Sequence, residues 1–169
     1  PKSISFPKTK KLATFGYSPT FYEQPTNGLT YNSVSKDLNL SSLEDVNSLM
    51  VLSALFGKVG TKDKDYMQLQ EDISKISGGI NASNHFYVDK SGEVKGRISL
   101  SSKFLPDNTV ETTNLMFDIL QNTDLEDKKR ITELMFQNFM GFQQSIVENG
   151  HRFAMLGAAS LHNKLSYVQ

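Results

Sequence analysis

The sequence predicts an α+β fold, an antiparallel sheet with helices packed on one face, and three observations carry that prediction. Residues 80–104 alternate apolar and polar side chains through two runs joined by a short polar loop, the pattern of a hairpin with one covered and one wet face. Apolar residues at spacings of three and four mark helices both before and after that hairpin. The resulting order, strand, two helices, hairpin, helices, gathers the helices beside a sheet instead of threading them between parallel strands.

Residues 1–26 read as an irregular or edge lead-in, broken by Pro7, Pro19 and Pro25. The turn pair Asn27-Gly28 opens a strand over Gly28–Leu38. Ser41 and Glu44 fit a capping box, each side chain satisfying an orphan amide of the other's end. The helix that follows carries Val46, Leu49, Leu52, Phe56 and Val59, is nearly apolar all round from Leu49 to Phe56, and is expected to be deeply buried up to Gly60. A second helix over Lys64–Ile76 has Tyr66, Leu69, Ile73 and Ile76 on one side and stops at Ser77-Gly78-Gly79.

The hairpin comprises Ile80–Val88 and Val94–Phe104. Its even positions are mostly apolar (Ile80, Ala82, Phe86, Val88, Val94, Ile98, Leu100, Phe104) and its odd positions mostly polar. The loop 89–93 keeps the two apolar sets in phase if Val88 faces Val94, which sets Phe86 across from Gly96. Asn108 is then placed as the cap of a helix to Gln121 with Val110, Phe117 and Leu120 inward. Asp124 is placed as the cap of a longer one to Glu148, with Ile131, Met135, Phe139, Phe142 and Ile146 along a core-facing side. A last helix spans His151–Tyr167, with Phe153, Leu156 and Leu161.

At 169 residues the chain suits a single domain, and eleven Phe give it a core without staples. Lys+Arg and Asp+Glu balance at 18 each, which argues against a nucleic-acid surface, and Lys2, Lys8, Lys10 and Lys11 read as a solvated arm. No run approaches the roughly 18 apolar residues of a membrane span. Without cysteine there is no thiolate nucleophile or Cys-type zinc site. His85, His151 and His162 offer no pair at helical i, i+4 spacing; the last two lie about 16 Å apart along a helix. No nucleophile elbow or phosphate-cradling glycine loop is present. One polar group remains: the odd strand face with His85, Tyr87, Lys95, Arg97 and Lys103. It reads either as an ordinary solvated face or as the wall of a cavity that holds extended peptide.

Several segments, in order, resemble the pitrilysin/insulinase-type zinc metallopeptidases. They are Asn27-Gly28-Leu29-Thr30-Tyr31, Leu52-Ser53-Ala54-Leu55-Phe56, Gly60-Thr61, Asp65-Tyr66 and Ser77-Gly78-Gly79-Ile80. Glu148-Asn149-Gly150-His151, followed by Phe153, Ala154, Ala158, Ala159 and Leu161, is similar to the presequence-protease and falcilysin branch. The resemblance implies four similar α+β domains enclosing a peptide-digesting chamber. The first of them carries His-x-x-Glu-His just before a Gly-Thr or Gly-Ser pair, with zinc on the two His and a distal Glu. Counted back from Gly60-Thr61, those slots hold Val51, Ala54 and Leu55, which can neither ligate metal nor move a proton.

The expectation is therefore a non-catalytic sister domain, most like the third, with Gly60, Thr61, Gly78 and Gly79 structural and zinc bound elsewhere in a parent enzyme. Its expected partners are the parent's other domains and peptide substrates. Mitochondrion, plastid or digestive vacuole is the compartment that the resemblance implies. The alternative is a catalytically dead scaffold or subunit of the same fold, like the core proteins of respiratory complexes.

Overall fold

The computed structural model describes residues 9–11, 19–163 and 165. Among these residues, strands and helices follow in the order β1 (Thr9–Lys11), β2 (Thr20–Tyr22), β3 (Thr30–Asn39), α1 (Leu43–Leu55), α2 (Tyr66–Ile76), β4 (Ile80–Val88), β5 (Val94–Phe104), α3 (Thr109–Asn122), α4 (Lys128–Glu148) and α5 (Gly150–Ser160). Within the lead-in expected to be irregular, β1 and β2 pair as a short antiparallel ribbon. Pro1, Pro7, Lys2 and Lys8 lie outside the described residues, as does the expected helix end at Tyr167.

The main sheet is antiparallel with β5 in the middle, in the order β3-β5-β4. The hairpin register pairs Val88 with Val94 and Phe86 with Gly96, as the alternation requires. Helices cover its even face. Leu69 and Ile73 of α2 and Leu115, Met116 and Ile119 of α3 bury Ile80 and Leu100 at one end, while Val46 and Leu49 of α1 bury Phe86 and Ile98 at the other. The absence of a side chain at Gly96 lets α1 settle onto β5: a Cβ there would stand 2.5 Å from Leu49 Cδ2 and 3.0 Å from Leu40 Cδ1.

Several local signals are right in kind but lie one to three residues from the expected place. The capping box of α1 is Ser42 with Asp45, not Ser41 with Glu44. The Asp45 carboxylate gathers Ser41 N, Ser41 Oγ and Ser42 N at 2.7–3.0 Å, so both serines serve one acceptor. The helix closes at Phe56, where Gly57 takes φ +74°, a left-handed turn that glycine enters without a Cβ penalty. Gly60, the expected terminator, sits instead in the corner beyond. Around α1 burial is one-sided: Leu49 and Leu55 are enclosed while Met50 and Val51 stay exposed.

Asn108 precedes α3, but its Nδ2 donates to Ile76 O at 2.8 Å and makes no cap bond. Together with Thr112 Oγ1, which donates to the same carbonyl, this turns Thr112, Leu115, Met116 and Ile119 inward. Val110 faces solvent, and Phe117 and Leu120 are half-buried, against the expected stripe. The cap of α4 is Asp127, which accepts from Arg130 N; Asp124 accepts from Glu126 N in the turn before it. Only the first turns of α4 meet the core, where Leu134, Ile131 and Met135 pack on Leu55 and Val59. Phe139, Phe142 and Ile146, expected in the core, are about half exposed because α4 runs on past α1.

Candidate functional site

The odd face of the sheet is the candidate surface. Strand alternation puts His85 and Tyr87 of β4, Lys95, Arg97 and Lys103 of β5, and Asp37 and Asn39 of β3 on one side. Register then sets Asp37, Arg97 and His85 in one row and Asn39, Lys95 and Tyr87 in the next. Asp37 takes Arg97 in a fork, Nε to Oδ1 at 2.6 Å and Nη2 to Oδ2 at 3.0 Å. The same guanidinium lies 5.5 Å from the Tyr87 ring centre, and His85 stacks on Tyr87 at 6.2 Å. Lys95 Nζ donates to Asn39 Oδ1 at 2.8 Å and lies 3.7 Å from Asp89.

Four of the five residues expected on the wall therefore meet at one end of the sheet. Lys103 does not: eight residues along β5 place it about 26 Å from Lys95. Its stem runs over Gly78, where a Cβ would come within 2.9 Å of Lys103 Cε. Between the two ends, Ser33, Ser35, Ser83, Ser99, Ser101 and Asn81 form a floor of small polar groups. The alternation of the hairpin already puts Asn81, Ser83 and Ser99 on the polar face, but sequence reasoning missed Asp37, Asn39, Ser33 and Ser35. The polar alternation of β3 carries these four, but only its pairing with β5 shows which residues they meet.

Gly60 and Thr61 sit where the α1–α2 corner ties to the α3–α4 corner. Thr61 bridges Lys64 and Thr123, Lys62 N donates to Asn122 O at 2.9 Å, and Asp124 N donates to Gly60 O at 2.9 Å. Thr61 is 4% exposed, and its Oγ1 is buried without a hydrogen-bond partner among the described residues.

The Arg97 fork holds the Asp37 carboxyl below its ordinary 3.8, and Asp37 raises Arg97 in turn. Hydrogen bonds from Ser41 lower Asp45, the Lys64 bond lowers Asp72, and the Ser91 hydroxyl lowers Asp89. These acids lose their protons more readily folded than unfolded, so their contribution is complete above the ordinary carboxylate range and disappears as pH falls through the lowered values. The midpoint of urea unfolding is accordingly expected to hold steady from neutral pH to about pH 5 and to fall below about pH 4. Greater stability on acidification would contradict this arrangement.

Each shifted group is explained by a neighbour within its own ion pair or turn, which is the signature of structure and not of a poised acid or base. Among the described residues no group of three or more His, Asp or Glu could hold a metal ion. At the positions that the resemblance assigns to the inverted zinc motif, Val51 is exposed, Ala54 half-buried and Leu55 enclosed; a hydrocarbon donor set does not fit zinc. Among the described residues no helix is long and apolar enough to cross a membrane. What the sheet face offers is hydroxyls, amides, an imidazole and a phenol beside a self-neutralised ion pair.

A family model described as associated with peptidase family M16, subfamily C, matches residues 2–169. Protein HypA of Clostridium perfringens is 28% identical over 156 residues, covering 87% of this chain and 15% of that protein. The mitochondrial presequence protease of Yarrowia lipolytica is 30% identical over 142 residues, covering 80% of this chain and 14% of its own length. That of Danio rerio is 28% identical over 159 residues, at 92% and 15%. A conserved protein from Enterococcus faecalis V583 shares the fold with a TM-score of 0.58 at 18% identity, over 77% of this chain and 32% of that one. The chain thus spans about one seventh of the length of these curated relatives.

Proposed function

This chain belongs to the family associated with subfamily C of the M16 peptidases, and from that premise we propose that it is a non-catalytic, chamber-forming segment of a zinc metalloendopeptidase that degrades peptides. The reading is carried by one observation: a chain similar over most of its length to presequence proteases holds Val51, Ala54 and Leu55 where a hydrolytic sister domain would hold its two histidines and its glutamate. Zinc and the activated water belong, on this reading, to another segment of the same polypeptide. An organellar compartment is part of the proposal for a parent in a eukaryote, supported by relatives named mitochondrial; a relative of comparable similarity occurs in a bacterium.

The wall's role is hydrogen bonding to extended peptide, not selection by charge. Arg97 is neutralised by Asp37, and Lys95 is held by Asn39. His85 is exposed and Tyr87 is partly exposed, which leaves these two with the serine floor as the groups a peptide would meet.

In the intact enzyme, His85→Ala with Tyr87→Phe is expected to raise KM for unstructured peptides several-fold and to leave kcat nearly unchanged, the pattern of lost uniform binding. An unaltered KM across acidic, neutral and basic peptides would remove the wall from the proposal. An intact protein that hydrolyses no peptide with zinc supplied would return the segment to the scaffold reading.

A further inference from the structure

The outer part of α4 carries the longest uncharged run of any helix among the described residues. Residues 134–147 carry no charged side chain across fourteen positions, about 20 Å of helix. Phe136, Met140 and Val147 follow at steps of four and seven, so they share one flank. That flank is turned away from the one on which Ile131 and Leu134 meet α1. The three are 64%, 49% and 82% exposed, and Phe139 beside them is 54% exposed. On the other side, Phe142 meets Phe153 of α5 edge-on at 5.8 Å, so α5 braces α4 without covering this flank.

An apolar stripe of this length facing water is costly, and surface helices normally place charge there. We propose that this flank of α4 is where the remainder of the peptidase polypeptide docks, through an apolar, uncharged surface of a neighbouring domain. The inference rests on reading the chain as one segment of a larger peptidase. Two observations commit it to that occupant. The matched stretch is only 14–15% of each relative, so most of such a polypeptide lies outside these residues and is available to cover them. The stripe offers no charge to pair with, so a charged partner such as an acidic peptide or a phosphate would lose its hydration and gain no counter-charge.

The test compares hydrogen exchange at the amides of 136–147 in the 169-residue chain and in the whole polypeptide, each as wild type, Phe136→Lys and Val147→Lys. Both lysines would meet water in the chain alone, so its exchange and urea midpoint are expected to stay unchanged. In the whole polypeptide, wild-type exchange at these amides is expected to slow about tenfold or more, and either lysine is expected to remove that protection. Equal exchange in the two wild-type proteins would overturn the proposal. So would a chain that self-associates through this flank, is dispersed by Val147→Lys and gains no protection in the whole polypeptide. Protection in a whole polypeptide that hydrolyses no peptide would sink the enzymatic reading and leave the docking surface standing.

Discussion

Gly60→Ala is expected to destabilise the chain by about 3 kcal/mol or more, measured as a fall in the urea midpoint at unchanged slope. The added Cβ would stand 2.4 Å from the Lys64 carbonyl oxygen and 3.1 Å from the Asp65 backbone, atoms that cannot swing aside as a side chain can. Relief requires opening the turn in which Thr61 N donates to Lys64 O at 2.8 Å. That turn also fixes Lys62 and Gly60 against Asn122 and Asp124, so the α3–α4 corner would loosen with it. A midpoint within error of wild type would show that the close approach is not real.

Gly96→Val is expected to cost about 2–3 kcal/mol, by overpacking and not by strain, since the backbone there is ordinary strand. Its Cβ would press on Leu49 Cδ2 at 2.5 Å and on Leu40, and the two further methyls have nowhere to go beneath α1. These obstacles are side-chain ends, and this sets Gly96 apart from Gly60. Leu49→Ala alone should cost about 2–5 kcal/mol through the cavity it leaves, because Leu49 is 2% exposed. Together the two should cost clearly less than their sum, since the valine fills the space the leucine vacates. Simple additivity in the double-mutant cycle would mean that the two positions do not touch.

The two glycines also mark how far the sequence can be read. Gly60 is the expected end of α1, and the helix ends earlier, at Gly57. Both glycines satisfy the local rule for a terminator, and the choice between them follows from which one must lie against Lys64. Gly96 is recognisable in the sequence only as the partner of Phe86; its role in seating α1 belongs to a contact forty-seven residues away in sequence, and no local pattern encodes it. The wall shows the same division. His85, Tyr87, Lys95 and Arg97 are legible from period-two alternation, whereas Asp37, which neutralises Arg97, is not, because it comes from a strand sixty residues earlier.

By itself the sequence determined the fold class and the hairpin with its register. These depend on side-chain chemistry and short-range periodicity, which a linear reading contains in full. Only the tertiary structure decided that β5 is central, that the cations at the crowded end of the polar face are already paired, and that the apolar stripe of α4 faces outward. Periodicity says that one side of a helix is apolar but not what covers it; that depends on where the helix lies relative to the sheet, and α4 extends beyond the sheet's reach.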